Sequence, residues 1–497
     1  MFGENLRKFP LLASYMEPLA RKDFLIFSPI AHLAQNDLSS YPIRKPQHFK
    51  ARKKCSYEHF FRLTISLKLR QFEPVSRPLT ALFVDCDSYF ASVEQHLNPE
   101  LRGRPVGVAP VMAESSSCIA ASYEAKAYGV KTGTRISDAR IMCPDITIVE
   151  SKPSEYIRYH HRIIAAVEDC IHVEAVLSID EMWAWLPLNL REVPVIRDIA
   201  SKIKSTIARE VSPVIKVSIG VGPNRYLAKT ASKMRKPDGL FFIEHRDLPD
   251  ILYELGLRDF NGIARNMEVR MHAAGIHTVQ KLCTAPKELL RQAWGGVMGD
   301  RFWHLIRGEE IPDLVSARKS IGHSHVLPPE FRHPEKAWPI LCKLLHKACE
   351  RLRSHGLLTG SLTLHLSFLR ADAWNPEIRF PETDSTVNLI RILGRIWRER
   401  PEPKSHLIKV AVTLTRLVEQ GNFTPQLFPT LLAEDPAEFK PQETHDKHRR
   451  LDATLDKLRA RYGRDAVYLG SVQDVRESAP MRISFTHIPD VQLEKDH

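Results

Sequence analysis

The sequence predicts an α+β protein of several domains, in which two separate regions each follow the element order βαββαβ. The chain has 497 residues, more than a single hydrophobic core usually organises. Strand-like and helix-like segments alternate in residues 80–246, and the same order returns in residues 318–418. A stretch of short helices separates the two regions. We therefore expect two independent sheets, each with helices packed on it.

The first region has an insertion after its first strand. Its predicted elements are, in chain order, a strand at 80–86, a helix near 154–169, two strands around the SIDE run at 178–181, a helix at 195–210 and a strand at 214–221. In the helix at 195–210, isoleucines recur at a spacing of four, at Ile199, Ile203 and Ile207, which predicts one face buried against the sheet. Residues 100–153 interrupt the order and form the insertion.

Residues 247–312 alternate short helices with glycine turns. Such turns can present backbone amides to a DNA phosphate. The alternative is a helical linker with a purely structural role.

The second region has strands with one apolar and one polar face. Apolar residues at Leu362, Leu364 and Leu366 alternate with polar ones, and the predicted helix from 335 to 355 carries a leucine stripe and ends near Gly356. A sheet with an open polar face can follow a phosphate backbone without reading its sequence.

Two strands of the first region each end on acidic residues. The run ALFVDCDSYF contributes Asp85 and Asp87, and the run LSIDEMWAWL contributes Asp180 and Glu181. Hard cations such as Mg²⁺ prefer oxygen ligands and leave positions open for substrate phosphates, so the pattern indicates phosphoryl transfer. The alternative is that each acid caps a helix or turn.

Groups suited to a phosphate ligand surround these acids in the sequence. A predicted helix start, whose amides can bind an anion, follows Asp87 directly and consists of Ser88, Tyr89 and Phe90. Tyr123 and Lys126 are three residues apart on one helical face, and Lys229 lies on a helix after a Gly-Pro turn. An aromatic ring at the helix start can also lie under a sugar and exclude its 2′-hydroxyl. For each lysine taken alone, the alternative is a solvated surface position.

The composition favours a nucleic-acid partner. Lys and Arg number 71 against 59 Asp and Glu, a net charge of +12, which favours binding to a polyanion. The apolar runs have the length of strands, so we expect neither a membrane span nor a signal peptide. The eight cysteines have no zinc-site spacing, and we expect reduced thiols in a cytoplasmic protein. The adjacent His160 and His161 are predicted to lie on a helix surface and not to bind zinc.

Together these runs resemble the signature segments of the Y-family DNA polymerases, the DinB and UmuC group of translesion enzymes, over about residues 80–420. The segments DCDSYF, SIDE, ASYEAKAYGVKTG and NRYLAKTASKMRKPDG resemble the first motif, the second motif, the fingers motif and the lysine motif. The resemblance implies a palm at 80–99 and 154–246, inserted fingers at 100–153, a helical thumb at 247–312 and a little finger at 318–418. Outside it, residues 1–79 have no sustained period and are expected to be a poorly structured extension, and residues 419–497 are expected to be a tail with a helix near 446–462.

The resemblance also implies residue roles. Asp85, Asp180 and Glu181 would be the catalytic carboxylates and would bind two Mg²⁺ ions with the Cys86 carbonyl, whereas Asp87 is not an expected ligand. The nucleotide would contact Ser88, Tyr89, Phe90, Tyr123, Lys126 and Lys229, with Phe90 as the steric gate against ribonucleotides. The fingers motif differs from many relatives at Ala120 and Lys126, where threonine and arginine are usual. Lysine offers a point charge and not a bidentate fork, so the grip on phosphate would be looser.

The function implied by the resemblance is template-directed, low-fidelity DNA synthesis in DNA damage tolerance. The enzyme would add dNMP to a primer 3′-end, with primer-template DNA and dNTPs as partners, and we expect a monomer. A weak resemblance to a sliding-clamp peptide, with a random match as its alternative, covers Gln426, Leu427 and Phe428. Two other functions remain open: a non-catalytic DNA-bound scaffold of the same family, and a palm-based nucleotidyl cyclase.

Overall fold

The computed structural model describes residues 77–314, 318–401, 406–422, 442–463, 466–468 and 470–475. The candidate clamp contact at Gln426, Leu427 and Phe428 lies outside these residues, as does all but the end of the predicted extension at 1–79. Among the helices of the described ranges, none combines the length and apolar character needed to cross a bilayer.

The first region contains a sheet, its helices and a set of inserted elements. In chain order these are β1 (Ala81–Cys86), α1 (Tyr89–Leu97), β2 (Val106–Ala109), β3 (Ala120–Ala121), α2 (Tyr123–Ala127), α3 (Ile136–Met142), β4 (Thr147–Glu150), α4 (Pro153–Glu168), β5 (Ala175–Val176), β6 (Glu181–Trp185), α5 (Val193–Glu210), β7 (Val217–Gly222), α6 (Arg225–Met234) and β8 (Leu240–Phe242).

The main sheet has the strand order β5-β6-β1-β7-β8, with β1 antiparallel to both of its neighbours. Leu82 and Val84 of β1 pack into the core formed with α4 and α5, whereas Phe83 packs on the opposite face beside α6. Because side chains alternate along a strand, Asp85 shares the Phe83 face. The end of the central strand therefore presents its carboxylate on the side that α4 and α5 do not cover.

Helix α5 is held to the sheet by one apolar stripe. Ile196, Ala200, Ile203 and Ile207 are buried, and Ile199 is only partly buried at the edge of the stripe. Proline in the first turn suits the helix start, where its missing N–H has no intrahelical partner. The predicted burial of this helix against the sheet is correct.

The inserted elements form a small sheet of their own, in the order β3-β2-β4. Helix α2 begins directly after β3, and the Ser122 hydroxyl caps its start by accepting a hydrogen bond from the Ala125 amide. Because this cap fixes where α2 begins, it also fixes the directions in which the Tyr123 and Lys126 side chains project from the helix.

Short helices follow the first region, as predicted. They are α7 (Arg265–Ala273), α8 (Val279–Thr284), α9 (Lys287–Trp294) and α10 (Val297–Leu305). Helices α9 and α10 approach closely at Gly299, where an added Cβ would lie 2.1 Å from the Leu290 carbonyl oxygen. Only glycine permits this contact.

The second region consists of β9 (Ser320–Val326), α11 (Pro334–Ser354), β10 (Leu357–Phe368), β11 (Ala371–Trp374), β12 (Glu377–Thr383), α12 (Thr386–Arg398) and β13 (Leu407–Glu419). The sheet order is β11-β10-β13-β9, and β12 also pairs with β10. Leu362, Leu364 and Leu366 are buried with residues of α11 and α12. The alternating Thr363 and His365 point to the face without helices, so the predicted polar face is present.

A further helix, α13 (Gln442–Tyr462), follows this sheet in the chain and starts four residues before the predicted 446. The two sheets, the helices packed on them and the helical stretch between them confirm an α+β protein.

Candidate active site

The predicted carboxylates converge where β1 and β6 lie side by side. Asp85 is paired with Glu181 in the antiparallel register, and the Cys86 amide donates to the Asp180 carbonyl at 2.8 Å. Directly opposed residues in such a pair have Cβ atoms about 5 Å apart. Two runs almost a hundred residues apart in sequence thus meet at one sheet edge.

Two lysines neutralise this edge. Lys229 Nζ lies 2.7 Å from Glu181 Oε2, and Lys236 Nζ contacts Asp85 Oδ1 and lies 3.4 Å from Asp87 Oδ1. Lys229 reaches the acids because α6 packs very closely on β7. At Gly220 of β7 an added Cβ would lie 2.1 Å from the Ala228 carbonyl oxygen.

Burial changes the acidity of the carboxylates. Burial raises the pKa of Asp85 to about 6, although the Lys236 ammonium opposes the rise, and Glu181 and Asp180 add to it. Burial also raises the pKa of Asp180, while a hydrogen bond from Ser178 works in the opposite direction. The charges of Glu181 and Asp180 therefore lie close enough to Asp85 to disfavour its ionised form.

Asp87 has a different environment from Asp85. Its carboxylate accepts hydrogen bonds from the Ser218 hydroxyl at 2.8 and 2.9 Å, from the Asp238 amide at 2.8 Å and from the Tyr123 hydroxyl at 3.1 Å. These donors come from three separate segments. Asp87 thereby joins β1 to β7, to the end of the lysine motif and to the inserted region.

The start of α1 collects several of the predicted nucleotide contacts. Ser88 adopts a left-handed conformation, with φ 46° and ψ 44°, directly before the helix. Lys126 Nζ donates to the Ser88 hydroxyl at 2.7 Å and lies 4.4 Å from the centre of the Tyr123 ring. Burial lowers the pKa of Lys126, with Lys236 adding to the effect. The structure thus brings Ser88, Tyr123 and Lys126 together beside Asp87.

Tyr89 and Phe90 are fixed by the same tyrosine of α4. The Tyr89 hydroxyl donates to the Tyr156 carbonyl at 2.5 Å, and the Phe90 ring stacks on the Tyr156 ring with 4.5 Å between centroids. The Tyr156 hydroxyl in turn donates to Glu94 at 2.8 Å. Phe90 therefore has little freedom to move away from a group placed beside it.

Comparisons with known proteins show which family the chain resembles. The impB/mucB/samB family model matches residues 84–233, and the model of that family's C-terminal domain matches residues 318–427. A DNA polymerase IV of Moorella thermoacetica is 32% identical over 405 residues, which cover 79% of this chain and 96% of the relative. A DNA polymerase IV of Pelotomaculum thermopropionicum is 31% identical and covers 78% of this chain and 93% of the relative.

A solved structure is also similar. A Y-family DNA polymerase chimera of Dbh and Dpo4 superposes with a TM-score of 0.58 at 25% identity, over 68% of this chain and 99% of the chimera.

The chain belongs to the DinB group of Y-family DNA polymerases. It is a DNA-directed DNA polymerase of the translesion type.

One prediction about this Y-family chain was wrong. His160 was expected on a helix surface, but it is only 1% exposed. Its Nδ1 lies 2.7 Å from the carbonyl oxygen of Ile179, so this nitrogen must carry the proton and donate. Burial lowers the pKa of His160 to about 4, which keeps the ring neutral. The buried Tyr156 and Ile163 share its face of α4 and were the sequence signal for its burial.

Lys236 was also missed as a site residue, although it lies in the lysine motif. The sequence signal for its role was its place as the last lysine of the motif, directly before Pro237, Asp238 and Gly239. The sequence alone does not reveal that the chain turns back after α6, which brings Lys236 onto Asp85 and Asp87.

The donor chemistry of the site fits a hard divalent cation. Within the described ranges, no three His, Cys, Asp or Glu side chains form a ready metal-binding group. In this structure the ammonium groups of Lys229 and Lys236 are paired with the carboxylates of Glu181 and Asp85. Asp85 is, however, a buried carboxylate whose pKa is raised further by the neighbouring Asp180 and Glu181, and such a set of oxygen ligands gains from a cation. The residues present therefore fit the metal that Y-family enzymes require.

All the cysteines in the described residues are free, and most are buried. This agrees with the predicted reduced thiols.

Proposed function

We propose that the chain adds dNMP to a primer 3′-end on a DNA template, with low fidelity and in tolerance of DNA damage, and that Asp85, Asp180 and Glu181 carry the reaction. The observation that carries the proposal is the pairing of Asp85 with Glu181, next to the Cys86–Asp180 hydrogen bond. Carboxylates held by a sheet are placed more rigidly than carboxylates on loops.

Two Mg²⁺ ions are the proposed cofactors. Asp85 and Asp180 would contact both ions, Glu181 the ion on the primer side, and the Cys86 carbonyl the ion that accompanies the nucleotide. Bound there, the ions would supply charge stabilisation at the attacking and leaving oxygens of an in-line displacement. The protein residues hold the carboxylates in place and keep them partly dry, which strengthens every electrostatic contact.

The lysines have two roles in this proposal. Without ligands, Lys229 and Lys236 balance the acids through the ion pairs described above. With a nucleotide bound, they and Lys126 are free to turn toward the triphosphate, because an ammonium on a flexible stem redirects easily. Tyr123 and Ser88 would contact the same phosphates.

Phe90 would act as the steric gate. Its ring is fixed on Tyr156 at the start of α1, beside the residues proposed to contact the nucleotide. A rigid ring under the sugar leaves no room for a 2′-hydroxyl, whereas a mobile ring would move aside and admit it.

The remaining regions would hold DNA. We assign a palm to 80–99 and 154–246, fingers to 100–153, a thumb to 247–312 and a little finger to 318–418. The polar face of the second sheet, which carries Thr363, His365 and Lys409, suits contacts with duplex backbone. The partners are primer-template DNA and dNTPs. A sliding clamp bound through Gln426, Leu427 and Phe428 and a monomeric state belong to the same proposal.

A primer-extension assay tests the proposal and separates its rivals. With Mg²⁺ and one dNTP at a time, the protein should add only the nucleotide that the template specifies. A DNA-bound scaffold would bind the substrate and add nothing. A nucleotidyl cyclase would consume nucleotide without a template, and either result would refute the proposal.

A further inference from the structure

Helix α13 is attached to the second region through its acidic residues. The Asp456 carboxylate forms a two-pronged ion pair with Arg353 of α11, at 2.6 and 2.8 Å. Asp452 is 2% exposed and accepts a hydrogen bond from the Thr386 amide at the start of α12. Burial alone would lower the pKa of Arg353, but these two carboxylates raise it, so the guanidinium stays charged. The helix is thus a fixed part of the domain surface.

The outer side of α13 is basic. Between residues 447 and 463 the acids are Asp452 and Asp456, and both face inward. The basic stripe, as we call it, consists of Lys447, Arg450, Lys457 and Arg461, all exposed. Their spacing of three, seven and four residues keeps them on one face of a helix. The stripe is about 21 Å long at 1.5 Å per residue.

Two large exposed side chains lie beside the basic stripe. Leu451 is 44% exposed and Tyr462 is 62% exposed. Leu451 directly follows Arg450 in the sequence, and Tyr462 directly follows Arg461. Both side chains therefore lie about a quarter turn around the helix from the basic stripe, on the same exposed side. A basic track with an aromatic ring next to it is the arrangement by which proteins hold single-stranded DNA, with phosphates on the cations and bases on the rings.

The basic stripe is not on the polar face of the second sheet. Helices α11 and α12 cover the other face of that sheet, and α13 contacts both of them through Arg353 and Thr386. A duplex on the polar face therefore does not reach the stripe on the helical side of the domain.

We propose that the basic stripe binds the single-stranded template strand outside the duplex held by the catalytic region. The inference rests on the proposed function only in taking DNA as the ligand. The basic stripe would hold the unpaired template in addition to the contacts that the rest of the protein makes with the duplex. Because the contact is to phosphates, it is independent of sequence and sensitive to salt.

The test compares two matched triple variants of the full chain. The first reverses the charge of the stripe through Arg450→Glu, Lys457→Glu and Arg461→Glu. The control reverses three exposed charges on α5 through Arg197→Glu, Lys202→Glu and Arg209→Glu, so that the net charge changes equally. Fluorescence anisotropy measures binding to a primer-template with a short or a long 5′ overhang, between about 50 and 200 mM salt.

We expect the wild type and the control to bind the long overhang more tightly than the short one. The stripe variant should lose this gain, by about tenfold at low salt, and its salt slope on the long overhang should fall by about 2. Tyr462→Ala should weaken the same complex by about fivefold or more, at unchanged salt slope. Melting temperatures of all variants report folding.

Several results would overturn the proposal. They are equal losses for the stripe variant and the control, a stripe effect that depends on the length of the upstream duplex and not on the overhang, or no effect at all. If reversing the stripe had no effect on DNA binding, the ligand of the basic stripe would be an acidic protein and not DNA. Primer extension by the wild type is measured separately, so failure of the polymerase function would not be confused with failure of the stripe.

Discussion

Asp85 and Glu181 lie directly opposite each other on the antiparallel strands β1 and β6. Like charges directly opposite each other in a sheet are destabilising. Asp85 is also 6% exposed, so its charge is poorly solvated. Even with Lys236 beside it, burial raises the pKa of Asp85 to about 6. The fold therefore keeps a carboxylate whose charge is unfavourable at the end of its central strand, which is understandable if that carboxylate is needed for chemistry.

The first prediction compares Asp85 with Asp87, two residues later. Asp85→Asn should stabilise the metal-free protein by about 1 kcal/mol, because burial disfavours the Asp85 charge more than the Lys236 ammonium favours it. Asp87→Asn should destabilise it by about 1–3 kcal/mol, because it disturbs the bonds from Ser218 and Asp238. Thermal unfolding in EDTA measures both. Equal effects of the two substitutions would contradict the distinction drawn between them.

The second prediction concerns the sugar. Phe90→Ala should admit ribonucleotides while dNTP use continues, because the ring stacked on Tyr156 no longer fills the space under the sugar. Single-nucleotide addition with dNTP and rNTP measures the selectivity. Tyr89→Phe is the control, since it removes only the hydroxyl bonded to the Tyr156 carbonyl. A Phe90→Ala enzyme as selective as its parent would rule out the gate.

Much of this site was predictable because its residues follow local patterns. Asp85 and Asp87 follow the apolar part of β1, although Asp180 and Glu181 stand at the start of β6 and not at the end of a strand as predicted. Tyr123 and Lys126 are spaced as neighbours on a helix. The contacts of Lys236 and His160 depend on how distant segments pack. His160 meets Ile179 only because α4 lies against the turn before β6. No period within either segment encodes that contact.

The fold divides in the same way. Alternating leucines predict the buried face of β10, and isoleucines four apart predict the packing of α5. The strand order of the second sheet, with β13 between β10 and β9, follows from long-range pairing that no local pattern specifies. The attachment of α13 through Asp452 and Asp456 was not predicted for a similar reason, because its partner Arg353 is about a hundred residues away.

The third prediction assigns a positioning role to His160. The amide nitrogen of asparagine can replace Nδ1 of histidine, whereas that of glutamine corresponds to Nε2. His160→Asn should therefore keep the bond to the Ile179 carbonyl, next to Asp180, and retain kcat within about threefold. His160→Gln should lower kcat by about tenfold or more with little change in KM for dNTP. This is about the effect expected when one hydrogen bond that positions a catalytic group is lost.

Equal kcat for the Asn and Gln variants would show that His160 only fills space. Melting temperatures of both variants control for folding. A fall in DNA affinity would also argue against a role confined to Asp180.

The fourth prediction concerns acid. Burial, with Arg459 and Arg353 adding to it, lowers the pKa of His346 to about 3. The unfolded chain takes up this proton near pH 6.5, so stability should fall as pH drops below about 6.5, by up to about 1.4 kcal/mol per pH unit until the folded pKa is reached. His346→Leu should lack this component. Urea unfolding at pH 7 and pH 5 measures it, and an identical pH dependence in the variant would contradict the account.

The most direct measurement is primer extension by Asp180→Ala and Glu181→Ala, with binding to the same primer-template measured in parallel. We expect the wild type to add the templated nucleotide, and each variant to lose extension by a factor of about a thousand or more while binding DNA nearly as well, because phosphate contacts elsewhere supply the affinity. Extension by either variant at the wild-type rate would contradict the assignment of these carboxylates as the catalytic centre.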